Sequence, residues 1–300
     1  MPNTEYYNGM CIIKKIKHDK FDFVITAGLT HVGGLLYNYL WSKVYVGILT
    51  SATLSVNKQF DYYLHKLGLK LSKQVSGIVL NSCFDYAKQA QIVVPRFKNA
   101  PVYATRNEFR DELQHYLAST LDYEDSYGTL VLFFNRDEQQ QVYDSLPSNL
   151  QQIIQLQEFG VSRDVILRNH RNRIDNGQPS VIFGLNSFAE GVDLPSKYCM
   201  HVIVTKLPFE TYKDPYHMVQ EYWYKYEKAN YFMDVAIPEA CIKLIQAVGR
   251  LIRSEQDYGQ VTICDNRLVT KQYGGILLNS LPNFNRKYDK DFIQKVLNYF

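Results

Sequence analysis

Short apolar runs alternate with longer mixed stretches along most of the chain. The runs are rich in β-branched and aromatic residues and close on turn residues, which is typical of strands buried in a parallel sheet. The mixed stretches between them are candidate helices, and the alternation predicts an α/β fold with a mostly parallel sheet flanked by helices. Strands are predicted over residues 23–28, 44–49, 129–134, 181–183, 201–205 and 260–264, and helices over 107–121, 137–146, 164–176 and 238–254.

Composition and charge narrow the class of protein only modestly. With 300 residues, 46% apolar and 21% charged, the chain has the composition of a globular protein of one or two domains. A net charge of +3 permits binding to a polyanion without requiring it. The amino-terminal residues lack the apolar region of a signal peptide, and no run of about 18 apolar residues occurs, so we expect a soluble cytoplasmic protein with no membrane-spanning helix.

The cysteines give no indication of a metal site or a disulfide framework. They are odd in number, widely scattered and without a CxxC pair. This spacing predicts reduced, buried thiols and no zinc or iron–sulfur site in this chain. The five are Cys11, Cys83, Cys199, Cys241 and Cys264.

A pair of arginines lies on the helix with the clearest start signal, a Pro-Glu pair suited to the first helical turn. At about 100° per residue, Gln246, Arg250 and Arg253 fall within about 60° of one another, which predicts both guanidiniums on one face. Such a pair, with Gly249 permitting close approach, suits the charge that builds on a transferring phosphoryl group. A solvated basic face is the alternative, and the segment alone leaves both interpretations open.

Two loops directly follow predicted strands, where ligands of α/β sheets bind. After the fourth predicted strand, Gly191 would let backbone approach a ligand, and Glu190 and Asp193 offer carboxylates to ribose hydroxyls or to the arginines. After the second predicted strand, Ser51 and Thr53 either relay hydrogen bonds between ligand sites or cap a turn. An Asx-type turn with surface acids is the alternative for the first loop, and simple capping is the commoner role for the second.

Four segments together resemble the motifs of superfamily 2 DNA helicases of the DinG/XPD branch, the bacterial DinG group in particular. TSATL at 50–54 is similar to motif III, VLFFNR at 131–136 to motif IV, SFAEGVDLP at 187–195 to motif V and QAVGRLIRS at 246–254 to motif VI. Flanking residues follow in the order that the family shows, at 207–209, 214–215, 257–259 and 265–267, and the resemblance runs from about Phe23 to Pro282.

The resemblance implies a RecA-like second motor domain, helicase domain 2, over residues 56–300, preceded over residues 1–55 by a remnant of the first motor domain that includes motif III. It implies an ATP-dependent DNA helicase that unwinds DNA 5′ to 3′ in DNA repair. ATP and Mg²⁺ would bind at the interface with a missing first motor domain, and single-stranded DNA would be the partner.

The same resemblance assigns roles to individual residues. Arg250 and Arg253 would act as arginine fingers toward the γ-phosphate, and Gln246 would position water or phosphate. The remaining assignments are Gly249, Glu190, Gly191 and Asp193 at the nucleotide cleft, Ser51 and Thr53 in coupling between domains, and Asn135, Arg136, Ser187 and Phe188 near the single strand.

The sequence departs from the family in its phosphate-binding elements. It contains no G-x-x-x-x-G-K-[ST] loop to hold the β- and γ-phosphates and no D-E-[AC]-H segment to bind Mg²⁺. We therefore expect the isolated chain to be inactive without a first motor domain, such as a separately encoded amino-terminal helicase half. We also expect the strand at residues 44–49 to lack its neighbouring strands, which predicts a sticky or partly disordered amino-terminal segment unless another chain completes it. Two alternatives stay open, a catalytically inactive remnant that binds nucleic acid or protein and an inert product of a broken gene.

Overall fold

The computed structural model describes residues 9–15, 23–29, 31–72, 74–121, 127–210 and 215–287. The chain divides into two compact units, each built from two stretches of sequence. We call them the small unit, residues 1–80 and 209–240, and the sheet unit, residues 81–208 and 241–300. The expected division between a remnant of the first motor domain, residues 1–55, and the second motor domain, residues 56–300, is a different boundary, and it stays a prediction.

The described residues form strands and helices with the following bounds. The strands are β1 Gly9–Lys15, β2 Phe23–Leu29, β3 Ala90–Val93, β4 Gly128–Leu132, β5 Ile154–Leu156, β6 Ser180–Gly184, β7 His201–Val204, β8 Gly259–Ile263 and β9 Asn285–Lys287. The helices are α1 Gly33–Tyr39, α2 Asp61–Lys66, α3 Tyr86–Gln89, α4 Arg106–Thr120, α5 Arg136–Ser145, α6 Ser148–Gln151, α7 Arg163–Asp175, α8 Asn186–Ala189, α9 Pro215–Tyr226, α10 Ile237–Val248, α11 Arg267–Thr270 and α12 Gln272–Ser280.

A seven-stranded sheet with the order β5-β6-β4-β7-β8-β3-β9 forms the centre of the sheet unit. Every neighbouring pair is parallel, and β4 and β6 are buried along their whole length. The predicted mostly parallel sheet flanked by helices is thus confirmed, and β4, β6, β7 and β8 match predicted strands. We did not predict β3, β5 and β9, because runs of four, three and three residues are too short to show a periodic pattern.

Helix α4 illustrates how the helices attach to this sheet. Its buried residues Phe109, Leu113 and Leu117 recur every four positions and so form one apolar stripe. The stripe belongs to the same core cluster as Val131 of β4 and Phe183 of β6. Burial of each such side chain stabilises the fold by about 1.5–3 kcal/mol, which is enough to fix the helix on the sheet.

The helix predicted over residues 238–254 is wrong at its carboxyl end. Helix α10 stops at Val248, and the next residues form turns. Further along, the amides of Arg253 and Ser254 donate to the side-chain carboxylate of Asp257 and not to carbonyls one helical turn earlier. Arg250 and Arg253 therefore do not share a helix face.

The two strands of the small unit pair with each other. β1 and β2 are antiparallel, with a register that runs from Gly9 opposite Leu29 to Lys15 opposite Phe23. The strand predicted over residues 23–28 is therefore present. It is not part of a parallel sheet, because the strand that it pairs with is the one that precedes it in the chain.

Helix α9 carries the densest aromatic stretch of the sequence. Its Trp223 stacks on His31 with ring centroids 5.0 Å apart, and Tyr224 is buried. By contrast, Tyr222 and Tyr226 are 74% and 76% exposed. Two rings of this stretch thus pack within the small unit, and two are exposed.

The strand predicted over residues 44–49 is not formed. No described residue exchanges a backbone hydrogen bond with residues 45–50, and Tyr45 and Ile48 are 102% and 86% exposed. A strand needs a neighbour to satisfy its backbone groups, and none of the described strands of the small unit lies beside this one.

The cysteines follow the sequence expectation with one exception. Cys199, Cys241 and Cys264 are buried, whereas Cys83 is exposed. The side chain of Cys11 lies outside the described residues. Within the part of the chain that the structure describes, no helix is both long enough and apolar enough to cross a membrane.

Candidate functional site

Two arginines converge on one backbone oxygen. Arg250 donates a hydrogen bond from Nη1 to the carbonyl oxygen of Val192 at 2.8 Å, and Arg253 donates from Nη2 to the same oxygen at 3.0 Å. Arg250 also donates from Nε to the carbonyl of Gln246 at 3.2 Å, which ties its guanidinium to the last turn of α10. Val192 lies in the loop after β6, so the structure brings the two predicted segments into contact.

A buried carboxylate fixes the arginine segment to the end of that loop. Asp257 is 2% exposed and accepts from the amides of Arg253 and Ser254, at 2.6 and 2.8 Å, and from the Ser254 hydroxyl at 2.9 Å. It also accepts from the amide and hydroxyl of Ser196, at 3.1 and 3.2 Å. Burial alone would raise the pKa of Asp257, but these hydrogen bonds hold it below its ordinary value. Asp257 therefore joins the two segments as an ionised group.

Helix α7 holds the other side of the loop. Arg163 donates from Nη1 to the carbonyls of Ser187 and Glu190, at 3.2 and 3.3 Å. Eight residues later, Arg171 donates to the carbonyl of Asp193 at 2.6 Å. Together with the converging pair, these arginines clamp the loop through its backbone oxygens. The order of the contacts shows that the loop runs alongside α7.

Charges of both signs surround Arg250. Partial burial lowers the pKa of Arg250, and the neighbouring charge of Arg253 acts in the same direction. The carboxylates of Glu190 and Asp193 act in the opposite direction. Because arginine stays protonated at any ordinary pH, two adjacent positive charges remain, offset in part by these acids. A planar pair of this kind suits a phosphate group.

Two glycines shape the backbone here. Gly191 has φ of +64°, in the left-handed region that favours glycine, and a Cβ there would lie 3.6 Å from Nη1 of Arg163. Conformation rather than space therefore calls for glycine at this position. At Gly249 the limit is space, because a Cβ would lie 3.0 Å from the carbonyl oxygen of Ile245.

The residues matched to motif IV connect to the same loop at its start. Asn135 caps α5 by accepting from the amide of Glu138 at 2.9 Å. Arg136 donates to the carbonyl of Gln157 at 2.9 Å, and the side-chain amide of Gln157 donates to the hydroxyl of Ser187 at 2.9 Å. Arg136 and Ser187 are thus linked through one intervening residue.

Phe188 is placed differently from its neighbour Ser187, which is exposed. The Phe188 side chain is 0% exposed and packs so closely on β6 that a Cβ at Gly184 would lie 2.7 Å from the Phe188 Cβ. Protein therefore covers its ring, and in this conformation Phe188 would reach a single strand only through its backbone.

Ser51 and Thr53 belong to the small unit. The hydroxyl of Ser51 accepts from the amide of Thr53 at 3.2 Å, and the two hydroxyls are 3.3 Å apart. This is the local turn that the capping alternative describes. The role of Ser51 and Thr53 in coupling between the motor domains stays a prediction.

Several residues of the site were not singled out from the sequence. Gln157, Arg163 and Arg171 lie outside the motifs, and Asp257 was noted only as part of a flanking match. The spacing of the two arginines on one helix was a weak signal, because surface helices often carry such pairs. Only their contacts with loop carbonyls distinguish these two arginines from an ordinary pair on a helix surface. No group of three or more histidines, cysteines or acids among the described residues is placed to hold a metal ion.

Comparison with known proteins shows which family the chain belongs to. Residues 119–284 match the family described as "Helicase C-terminal domain", and these residues contain Val192, Arg250 and Asp257. The chain is 35% identical over 279 residues to the ATP-dependent DNA helicase DinG of Photobacterium profundum, with 91% of this chain and 39% of that protein covered. It is 33% identical over 253 residues to DinG of Escherichia coli K12, with 84% and 35% covered.

Solved structures agree on the fold. S. tokodaii Xpd4 aligns with a TM-score of 0.58 and 14% identity, covering 89% of this chain and 49% of that one. A structure of an XPD helicase aligns with a TM-score of 0.56 and 15% identity, covering 88% and 46%. The class is therefore a helicase C-terminal domain with a RecA-like sheet. The chain belongs to the DinG/XPD-type superfamily 2 helicases, and it spans 39% or less of the length of the curated relatives named above.

Proposed function

We propose that the chain supplies the second motor domain of a DinG-like, ATP-dependent DNA helicase that moves 5′ to 3′. In this proposal Arg250 and Arg253 contact the γ-phosphate of ATP, which the first motor domain holds together with Mg²⁺. The observation that carries the proposal is the convergence of the two guanidiniums on the Val192 carbonyl, in the loop after β6.

The chemistry of the pair supports this role. Each guanidinium has five N–H donors, of which Arg250 uses two and Arg253 one in bonds to described residues. The other donors are available to phosphate oxygens, while the bonds to Val192 and Gln246 hold the planes in fixed orientation. Charge that is held in place before the reaction stabilises a phosphoryl transition state most effectively, and an arginine finger contributes about 10³–10⁵ in rate.

The loop also offers a route from nucleotide to DNA. Val192 receives the arginines, and Ser187, five residues earlier, is bonded to Gln157 and through it to Arg136. We propose that single-stranded DNA is contacted by Asn135, Arg136, Ser187 and the backbone of Phe188. We also propose that Ser51 and Thr53 couple the nucleotide state of the first motor domain to these DNA contacts. A shift of the loop on phosphate release would then change the strand contacts.

Hydrolysis by a reconstituted enzyme tests the proposal. The full chain would be co-purified with the amino-terminal part of E. coli DinG that precedes the matched residues, carrying Arg250→Ala, Arg253→Ala or the control Arg168→Ala, an exposed arginine on α7. We expect DNA-stimulated hydrolysis to fall by at least about 10³-fold for the first two and not for the control, with DNA binding retained. Unchanged turnover in Arg250→Ala, or hydrolysis by the chain alone, would overturn the proposal.

One observation favours a second candidate function. Both arginines already bond to a backbone carbonyl, which is what a purely structural clamp would do. The chain would then be a helicase-derived module that binds nucleic acid or protein without hydrolysis. In that case Arg250→Ala would lower the melting temperature and leave no hydrolysis to lose, whether or not the amino-terminal part is present.

A further inference from the structure

One phenylalanine of the sheet unit stands almost wholly in solvent. Phe159 is 95% exposed, and it lies in the segment of residues 157–162 that joins β5 to α7. We call this segment the β5–α7 loop. The next residue, Gly160, has φ of +86°, so the chain turns directly after the ring. Because burial is what makes an aromatic side chain stabilising, the ring of Phe159 adds little to this fold and is available to a ligand.

The first residue of the β5–α7 loop is held through both its main chain and its side chain. The Gln157 amide donates to the carbonyl of Phe183 at 3.0 Å, and its side-chain oxygen accepts from the amide of Leu185 at 2.8 Å. Its side-chain nitrogen donates to Ser187 Oγ at 2.9 Å, and its carbonyl accepts from Arg136 at 2.9 Å. The loop therefore leaves the sheet from a fixed point.

The end of the loop is held by the same neighbouring segment. Arg163, the first residue of α7, donates from Nη1 to the carbonyls of Ser187 and Glu190, at 3.2 and 3.3 Å. Ser187 thus accepts one bond from Gln157 at the start of the loop and one from Arg163 just after its end. Phe159 lies between these two attachments, on a loop that is tied at both ends to the segment after β6.

The apolar surface around Phe159 is small. Val161 and Val165 are 40% and 39% exposed, and polar, exposed residues interrupt the patch at Glu158, Ser162 and Asp164. A stable protein–protein interface buries roughly 800 Å² on each partner, far more than one ring and two partly exposed valines provide. A single planar base is a ligand of the right size for this ring.

Donors for a nucleic-acid backbone lie near both ends of the loop. Arg136 and Arg163 are exposed, and in bonds to described residues each uses only Nη1, so Nε and Nη2 remain for phosphate oxygens. Two exposed acids, Glu158 and Asp164, offset this charge. Affinity at the loop itself would therefore come from stacking on the ring more than from net charge.

We infer that Phe159 stacks on a base of single-stranded DNA, a contact that none of the motif residues supplies. The inference rests on the proposed function, because it takes single-stranded DNA as the ligand. An aromatic ring accepts the face of any base, so the contact would hold the strand without sequence preference. The loop is bonded to Ser187, in the segment whose Val192 carbonyl accepts from Arg250, so the stacked base would move with that segment.

The affinity of the full chain for an oligonucleotide of about 20 thymidines, measured by fluorescence anisotropy, tests the inference. We expect Phe159→Ala and Phe159→Leu each to weaken binding at least about fivefold, and Phe159→Trp to retain it. Tyr103→Ala is the matched control, because Tyr103 is a 98% exposed aromatic residue elsewhere in the sheet unit. The inference fails if the parent chain does not bind the oligonucleotide, or if Phe159→Ala and Tyr103→Ala bind it equally well.

Two further measurements separate stacking from a loss of charge. An oligomer of the same length built from abasic sites keeps the phosphates and offers no base, so the parent chain and Phe159→Ala should bind it equally. The log–log slope of affinity against salt should also be the same in these two proteins. Arg136→Ala should make the slope shallower by about 0.7 for one lost phosphate contact. A loss in Phe159→Ala that persists on the abasic oligomer would show that the ring does not act on a base.

The fold is checked by melting temperature, which should be equal in the parent chain and in all Phe159 variants, since the ring is exposed. A lower melting temperature in Phe159→Ala but not in Phe159→Trp would assign the ring a structural role and would count against stacking.

The outcomes also separate this inference from the proposed function. A base-dependent loss in Phe159→Ala, with no hydrolysis by the reconstituted enzyme, would contradict the motor role and support stacking. Hydrolysis that depends on Arg250, in an enzyme whose affinity for DNA does not depend on Phe159, would do the reverse. If Phe159→Ala instead weakens binding to the amino-terminal part of DinG and leaves DNA affinity unchanged, the ring is a protein contact and the inference is wrong.

Discussion

Arg250 donates to the carbonyl oxygen of Val192 at 2.8 Å, across 58 positions of sequence. The contact joins a segment that precedes β8 to a loop that follows β6, and β4 and β7 lie between these two strands in the sheet. The side chain of Val192 is 2% exposed, so its burial anchors the loop while its carbonyl accepts from the guanidinium. The position of Arg250 therefore depends directly on the conformation of the loop.

Replacement of Gly191 should disturb that conformation. Gly191→Ala places a side chain at φ of +64°, which costs about 1–2 kcal/mol, although the space beside it is open to ordinary contact. We expect a melting temperature lower by several degrees, as measured by circular dichroism. Gly34→Ala in helix α1 is the control, because nothing lies within 4 Å of a Cβ there and its φ is not positive. A loss of the same size in both variants would show that the backbone conformation at 191 is not the cause.

Removal of the Asp257 carboxylate should loosen both segments at once. Asp257→Ala leaves the amides of Arg253, Ser254 and Ser196 without their acceptor, and we expect a loss of about 3 kcal/mol or more in the free energy of unfolding. Asp257→Asn should cost less, since one acceptor oxygen remains. Urea denaturation measures the difference. The exposed neighbour Glu255 provides the control, and Glu255→Ala should change stability by no more than about 0.5 kcal/mol.

Two buried histidines should make stability depend on pH. Burial lowers the pKa of His170 and of His201 to about 4, so both are neutral in the folded chain, whereas in the unfolded chain they titrate near 6.5. A lowered pKa of a base means that the unfolded state binds more protons as pH falls. Stability is therefore fully present above about pH 6.5 and is lost toward pH 4, by roughly 1.4 kcal/mol per pH unit for each histidine.

Urea denaturation between pH 7.5 and pH 5 measures this slope. His170 bonds to Ser180 Oγ at 2.9 Å and to the Tyr198 carbonyl at 2.8 Å, so His170→Asn keeps some polar contact while removing one titrating group. We expect the slope to become shallower in this variant. His115 is exposed, and His115→Asn should leave the slope as it is. Equal slopes in the parent and in His170→Asn would argue against a buried neutral histidine.

Thiol labelling should distinguish one cysteine from the others. Burial raises the pKa of Cys199 to about 12 and that of Cys241 to about 11, and it raises the pKa of Cys264 as well, whereas Cys83 is exposed. Because the thiolate is the reactive form, a disulfide reagent at pH 8 should modify Cys83 quickly and the other three only on unfolding. The measurement is made on a Cys11→Ser background. Rapid labelling that persists in Cys83→Ser would contradict the buried positions.

The sequence by itself predicted much of the sheet unit, for a physical reason. Strands such as β4 and β6 are buried at every position, so most of their residues are apolar and the pattern is visible without any partner. Short strands such as β5 carry no such pattern, because three residues cannot show a period. The residues in the loop after β6 were singled out by their position at the end of a strand, and Arg250 and Arg253 by a helical spacing that does not hold beyond Val248. Their motifs and roles came only from the resemblance to a helicase family.

Tertiary structure alone decided how those residues meet. Helical spacing placed Arg250 and Arg253 together on one face, but the helix ends at Val248, and a shared acceptor in a distant loop brings the two guanidiniums together instead. The five hydrogen bonds to the buried carboxylate of Asp257 come from Ser196 in one segment and from Arg253 and Ser254 in another, and no local pattern reveals them. Periodicity reports which side chains are buried, whereas the direction of a polar side chain depends on partners that only folding supplies.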